Sequence, residues 1–234
     1  MFLPFYDSNP KQNITLQVVT VGLIVINVAM FIIFQGTVMD YPDLRLALIP
    51  ITFFETQVRP PDLIFVPEEV TALSHTFLHG SWLHLAGNML FLWVFGDNVE
   101  DAMGHVKFLI FFLLCGLAGG LAYALMTPDP ASPLVGASGA TSGVVAAYLM
   151  LHPRVKVWVL ATLLVKIPLR LPAWIVLGAY VVWNVIMVLS GDTLSSTAWW
   201  AHIGGLLAGA ALTPLFKRRD VPLFDRGMPD QEAL

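Results

Sequence analysis

The most constraining feature of this sequence is a series of apolar stretches long enough to cross a lipid bilayer. Several of them run for about 17–21 residues, close to the roughly 20 that a transmembrane helix needs. The chain contains 57% apolar but only 12% charged residues, whereas soluble domains average roughly 25% charged residues. We therefore predict a polytopic helical membrane protein, and we exclude a soluble globular enzyme and a disordered chain.

Six stretches qualify as candidate transmembrane helices. They are residues 16–35, 82–99, 106–126, 134–151, 171–189 and 197–216. A seventh apolar patch, 157–165, would cover only roughly 14 Å as a helix, so we expect it to lie in or near the interface. The prediction is a single all-α domain over residues 1–234, with a short N-terminal segment (1–15) and a C-terminal tail (217–234) flanking a six-helix bundle.

The distribution of lysine and arginine predicts the orientation of this bundle. If the N-terminus is cytoplasmic, ten basic residues lie in cytoplasmic segments and only two, Arg45 and Arg59, lie in outer loops. Because cytoplasmic loops carry the excess of basic residues, both termini are predicted to be cytoplasmic. The first outer segment (36–81) is too long for a plain connection, so we predict that it is structured.

Composition also excludes several kinds of site. Without a basic surface there is nothing to contact nucleic-acid phosphates, and Cys115 is the only cysteine, so a disulfide framework or a thiolate metal site is ruled out. His75 and His79 are four residues apart, but no third ligand stands at suitable spacing and no H-E-x-x-H motif occurs. We expect structural roles for both histidines and no metal.

Four polar residues are predicted to lie at one depth in the membrane. Counted from the predicted outer surface, Ser138 and His202 lie about five residues into the fourth and sixth spans, and His84 and Asn88 about two and six into the second. At 1.5 Å per residue, all four lie roughly 3–10 Å below that surface. Because polar groups inside a membrane are costly, their convergence predicts a functional site.

Small residues beside two of these groups predict close helix packing. Ser138 lies within the nearly side-chain-free stretch 136–140, and His202 is followed by Gly204, Gly205 and Gly209. Such surfaces let two helices approach closely, which would bring the Ser138 hydroxyl within hydrogen-bond reach of His202. A histidine that accepts the proton of a serine hydroxyl is the arrangement of nucleophilic catalysis.

Acyl transfer also needs hydrogen-bond donors for the oxyanion. The candidates are the Ser138 backbone N–H, the Asn88 amide and the His84 ring. No aspartate or glutamate occurs in the last three spans, which favours a Ser–His dyad, although Asp129 and Asp192 in outer loops stay open as a third member. Asn27 and Asn184 are expected to make interhelical polar contacts with partners that the sequence does not name.

Together these motifs resemble those of the rhomboid family of intramembrane serine proteases. The resemblance rests on the stretches 136–139 (GASG), 201–205 (AHIGG) and 96–100 (GDNVE), and on His84-x-x-x-Asn88 preceded by His79. It implies that Ser138 is the nucleophile, His202 the general base and His84 with Asn88 the oxyanion-stabilising pair. It further implies structural support from Gly136, Glu100 and His79.

Two departures from the family pattern concern the surroundings of the site. Better-known members carry an aromatic residue one helical turn after the nucleophile, packed on the histidine, and Ser142 occupies that place here. The tryptophan–arginine pair that some members have in the first outer loop is absent from this sequence. Which residue supports His202 is therefore left open.

The resemblance implies an intramembrane endopeptidase that cleaves transmembrane segments of other membrane proteins in the lipid bilayer, without a cofactor. The compact chain without a transit peptide leads us to expect a bacterial inner membrane. Two alternatives stay open. One is a non-catalytic relative that binds transmembrane helices, which should not react with a serine-directed probe, and the other is a small transporter or channel, whose solute flux should survive Ser138→Ala.

Overall fold

The computed structural model describes residues 2–34, 44–162, 166–191 and 197–225. Its helices are α1 (Val18–Phe34), α2 (Pro50–Phe53), α3 (Glu68–Ser74), α4 (Trp82–Met103), α5 (His105–Met126), α6 (Ser138–Leu151), α7 (Ala173–Leu189) and α8 (Trp199–Phe216). Its strands are β1 (Phe2–Asp7), β2 (Lys156–Thr162) and β3 (Lys166–Pro172). The six long helices fall within the six predicted apolar stretches or extend them by a few residues.

Helix α6 forms the centre of the bundle. Every residue from Gly139 to Tyr148 is buried, and α6 contacts α4, α5, α7 and α8. By length and composition, α5 is the one helix in the described part of the chain that could cross a membrane, and α1, α6 and α7 are apolar but shorter. The number of spans and the orientation of the termini therefore stay predictions.

The fourth predicted span does not begin as a helix. Leu134 pairs with Leu48 in an isolated β-bridge, with N–O distances of 2.8 and 3.2 Å, and α6 begins only at Ser138. The four residues before it were predicted to be helical and are not. Because the chain reaches Ser138 before the helix starts, this serine occupies the first position of α6 rather than its second turn.

The first outer segment is structured where it is described, as predicted. It contains α2, α3 and two 3₁₀ turns, Pro61–Leu63 and His75–Phe77, and residues 36–43 lie outside the described residues. The Arg59 side chain, only 4% exposed, donates to Glu68 at 2.6 Å and to the Ala47 carbonyl at 3.0 Å. These hydrogen bonds of the buried Arg59 side chain link separate parts of the first outer segment.

The all-α prediction is wrong at the opposite end of the bundle, where β1, β2 and β3 form an antiparallel sheet in that order. The patch 157–165 was expected to lie at the interface, and its described part, 157–162, is instead strand β2. Val155, Val157 and Val159 are buried while the residues between them are not. This alternation is the period of a half-buried strand, and β-branched valines favour that conformation.

Candidate active site

The four predicted site residues line one cavity at the end of the bundle where α4, α6 and α8 begin. The cavity has a volume of about 1330 Å³ and is bordered by His84, Asn88, Ser138 and His202. Residues of the loops that follow α5 and precede α8 form its rim. The structure thus brings together side chains from three helices, although Asn88 and His202 are 114 positions apart in the sequence.

Ser138 is placed by a glycine two residues before the start of the helix. Gly136 has φ +129°, a conformation that residues with a Cβ rarely adopt, and its N–H donates to the His75 carbonyl at 2.9 Å. A Cβ at this position would lie 2.7 Å from the His84 ring and 3.7 Å from the Ser138 hydroxyl oxygen. Gly136 therefore lets the His84 ring approach the serine.

Helices α6 and α8 contact each other through their glycines. A Cβ on Gly205 would overlap the Gly139 carbonyl oxygen, and one on Gly209 would overlap the Gly143 carbonyl oxygen. The backbones are therefore in direct contact, as the small residues predict. This contact places the first turns of both helices side by side, so that Ser138 and His202 border the same space.

His202 has a partner that was not predicted. Its Nδ1 lies 2.7 Å from Oδ1 of Asn184 on α7, and the Trp199 ring contacts it edge-on, with centroids 5.8 Å apart. The position of Asn184 in the sequence could have indicated that it lies near the site. It is five residues before the end of α7, at the same end of the bundle as the cavity. The sequence alone did not say which of several polar residues it faces.

Asn88 and His84 belong to a second set of hydrogen bonds. Asn88 Nδ2 donates to the His84 carbonyl at 3.2 Å, and Thr141 Oγ1 lies 3.2 Å from Asn88 Oδ1 and 3.1 Å from the Ser138 carbonyl. Thr141, which was not singled out in the sequence, thus links α4 to the turn that carries Ser138. Asn88 itself borders the cavity.

His79 packs behind His84. The two rings meet edge to face with centroids 5.2 Å apart, and His79 is fully buried. Burial lowers the pKa of His79 to about 3, with a smaller contribution from His84, so its ring is neutral at pH 7. Among the described residues, no three histidine, cysteine, aspartate or glutamate side chains are grouped so that they could hold a metal ion.

Glu100 lies away from the cavity and anchors α1 to α4. Its fully buried carboxylate accepts hydrogen bonds from the backbone of Val19 (3.0 Å) and Thr20 (2.8 Å), and from the Thr20 hydroxyl (2.7 Å). His105 Nδ1 lies 2.5 Å from the same carboxylate. A negative charge at a helix N-terminus is favourable, and these hydrogen bonds hold the start of α1 against α4.

The fold and the cavity define the class of protein. It is a bundle of apolar helices in which a serine and a histidine from adjacent helices border one cavity. Comparison with known proteins then gives the family. The family model described as the Rhomboid domain matches residues 67–219, more than half of the chain. The chain belongs to the rhomboid family, a family of polytopic membrane proteins that includes intramembrane proteases.

Relatives come from several kinds of membrane. The chain is 32% identical over 152 residues to rhomboid protein 1, mitochondrial, of Saccharomyces cerevisiae (62% of this chain, 41% of the relative). It is 33% identical over 140 residues to rhomboid protease GluP of Bacillus subtilis (58% and 24%). An inactive rhomboid protein 1 of Drosophila melanogaster matches at 33% over 94 residues (40% and 6%). The chain thus spans about half or less of the length of these relatives.

Proposed function

We propose that this protein is an intramembrane serine endopeptidase that uses a Ser138–His202 dyad. The observation that carries the proposal is the common cavity of Ser138, His202, His84 and Asn88. Family membership supports it, because the family includes named proteases. The chemistry requires only side chains and backbone groups of this chain, without a cofactor.

In the proposed reaction, the Ser138 hydroxyl oxygen attacks the carbonyl carbon of a peptide bond while His202 accepts the hydroxyl proton. The tetrahedral intermediate collapses as the imidazolium donates that proton to the leaving amine. Water then attacks the acyl-enzyme, with His202 again accepting a proton, and hydrolysis restores the serine. Because water must reach the acyl-enzyme, the cavity between the helix ends is the proposed route.

The oxyanion is proposed to accept hydrogen bonds from three groups. The Ser138 N–H lies in the first turn of α6, where backbone N–H groups have no partner within the helix. The Asn88 amide and the His84 ring border the same space. Loss of one such donor typically lowers kcat by roughly 10²–10³.

The proposed substrates are transmembrane helices of other membrane proteins. A helix hides its carbonyl groups in internal hydrogen bonds, so cleavage requires local unwinding. We therefore expect small or helix-weakening residues near the cleaved bond. With six spans and both termini cytoplasmic, the cavity would open on the outer side, and a bacterial inner membrane is the proposed location.

A cleavage assay in membranes tests the proposal. The parent chain and its variants are expressed with a labelled protein that contains one transmembrane helix, and the labelled fragment is quantified. Ser138→Ala and His202→Ala should each lower the rate by at least about 10³-fold. Ser8→Ala is the control, because Ser8 lies at the opposite end, where its hydroxyl donates to the Lys156 carbonyl at 3.0 Å. Cleavage by either dyad variant at the parent rate would refute the proposal.

A non-catalytic, helix-binding protein is the second candidate, because one relative carries the name inactive rhomboid protein. This chain has both the serine and the histidine of the proposed dyad. The two candidates differ in the same assay. A non-catalytic protein would co-purify with the intact labelled substrate and release no fragment, whatever residue occupies position 138.

A further inference from the structure

Two residues one turn apart on α7 face His202. They are Tyr180 and Asn184, spaced so that both side chains lie on the same side of the helix. Asn184 is fully buried and contacts His202 Nδ1 at 2.7 Å. The Tyr180 ring lies beside the imidazole, with centroids 6.3 Å apart and an interplanar angle of 32°, within the range of aromatic contacts.

The hydrogen bonds of Asn184 determine which way its amide points. Its Nδ2 donates to the Tyr180 carbonyl at 2.8 Å, and a carbonyl oxygen can only accept. The amide oxygen must then face His202, so Nδ1 of the imidazole donates and carries the ring proton. In the neutral imidazole this leaves Nε2 with the lone pair that accepts a proton from a hydroxyl.

The Tyr180 hydroxyl is tied to the nucleophile's helix through Ser142. Ser142 Oγ donates to the Ser138 carbonyl at 2.7 Å and lies 2.7 Å from the Tyr180 hydroxyl. Because the single Ser142 proton is used on the carbonyl, the Tyr180 hydroxyl is the donor to Ser142. Tyr180 thus supplies from α7 the aromatic ring beside His202 that position 142 lacks.

We propose that Asn184 and Tyr180 are positioning residues that hold the His202 ring in the orientation and tautomer needed to accept the Ser138 proton. The inference rests on the proposed peptidase function. In the proposed arrangement, two residues of α7 orient His202, the general base of the dyad. An asparagine orients the histidine of papain-like proteases in the same way.

The chain offers a matched control for Asn184. Asn27 on α1 is also fully buried, and its Nδ2 also donates to a carbonyl four residues earlier, that of Leu23, at 2.8 Å. Its Oδ1 has no partner among the described residues. Asn27→Leu and Asn184→Leu therefore remove the same intrahelical bond, and only the second also removes the contact with a histidine.

The first experiment measures kcat and KM for the detergent-solubilised full chain. Asn184→Leu should lower kcat by about 10- to 100-fold with little change in KM, since one hydrogen bond to the base is lost. Asn184→Asp keeps an acceptor oxygen and should recover most of kcat, and Asn27→Leu should stay within twofold of the parent. Equal kcat for Asn184→Leu and the parent would overturn the role of Asn184 while leaving the proposed peptidase intact.

A spectroscopic measurement tests the tautomer independently of turnover. The 15N chemical shifts of the His202 ring should show Nδ1 protonated and Nε2 unprotonated in the parent, and a mixture of tautomers in Asn184→Leu. Identical shifts in both proteins would overturn the inference. Loss of cleavage in Ser138→Ala is scored separately, so failure of the proposed function is distinguishable from failure of the positioning role.

Tyr180 is tested by two substitutions. Tyr180→Phe keeps the ring beside His202 and removes the bond to Ser142, so kcat should fall by less than about tenfold. Tyr180→Ala removes the ring as well and should cost about tenfold more than Tyr180→Phe. If the phenylalanine and alanine variants have the same kcat, ring contact with His202 has no positioning role.

Discussion

Ser138 is the first residue of α6, and this position has a chemical consequence. Its backbone N–H has no acceptor within the helix, so it is available to a negatively charged oxygen beside its own hydroxyl. The backbone N–H of a serine one turn further along the helix would instead donate to a carbonyl of the same helix. The glycine at position 136 makes the placement possible, because it lets the chain turn into α6 with positive φ.

Gly136→Ala should therefore reduce activity strongly. The new Cβ would be strained at φ +129° and would lie 2.7 Å from the His84 ring, so the ring or the turn must move. A displacement of about 1 Å in a reacting geometry costs roughly 10²-fold. We expect a fall of that size in kcat/KM, measured by fragment release.

Gly104→Ala separates backbone strain from the contact with His84. Gly104 also has positive φ, +84°, and the nearest atom to its Cβ would be the flexible end of Arg218, at 3.3 Å. It lies at the other end of α4, so the variant should lose roughly 1–2 kcal/mol of stability and keep kcat. Equal effects of both variants on kcat would contradict the account of Gly136.

The contact between α6 and α8 sets the relative position of Ser138 and His202. No side chain separates these helices at Gly139, Gly143, Gly205 and Gly209. Because backbone atoms cannot rotate away as a side chain can, a Cβ at the contact must push the helices apart. The distance between serine and histidine should change with it.

Gly205→Ala should accordingly lower both thermal stability and cleavage. Its Cβ would overlap the Gly139 carbonyl oxygen, whereas a Cβ on Gly178 of α7 would meet no atom within 4 Å. We expect the unfolding temperature in detergent to fall and kcat/KM to drop by at least about tenfold, while Gly178→Ala leaves both unchanged. A Gly205→Ala protein with parent stability and activity would contradict the backbone contact.

The helices were predictable because a long apolar stretch in lipid must satisfy its own backbone hydrogen bonds, and a helix does so within one segment. The strands were not predicted. Strand β2 is short, and from the sequence its alternating valines indicate only an apolar segment too short to cross a membrane. Asn184 was recognised as polar, but its partner depends on how α7 rotates against α8, which is set by packing. The late start of α6 follows from the pairing of Leu134 with Leu48, a contact across 86 positions.

At the scale of the whole molecule, the two ends of the bundle carry different polar groups. The cavity end holds Ser138, His84 and His202. At the sheet end, Asp7 of β1 is 9% exposed and accepts a hydrogen bond from the Tyr148 hydroxyl at 2.5 Å. Burial raises the pKa of Asp7 to about 6 against an ordinary value of 3.8, although the Tyr148 hydrogen bond acts in the opposite direction.

Stability should therefore fall with rising pH through this group. The folded chain binds the Asp7 proton more tightly than the unfolded chain, so its contribution is complete below about pH 4 and is lost as pH rises through about 6. Because buried His79, whose pKa is lowered, makes stability change in the opposite direction, the Asp7 contribution is measured as a difference. The unfolding free energy of the parent minus that of Asp7→Asn, from denaturant unfolding in detergent, should decrease by roughly 2–3 kcal/mol across this range. Asp62→Asn, at an exposed carboxylate, is the control and should show the same pH dependence as the parent. An unchanged pH dependence in Asp7→Asn would contradict this assignment.

Activation of the Ser138 hydroxyl by His202 is the proposed step on which the chemistry depends, and site-mapped labelling examines it without a protein substrate. The parent and His202→Ala are treated in membranes with a fluorophosphonate, and the modified peptide is located by mass spectrometry. We expect an adduct on Ser138 in the parent and none in His202→Ala. Absence of an adduct in the parent, or equal labelling of both proteins, would contradict it.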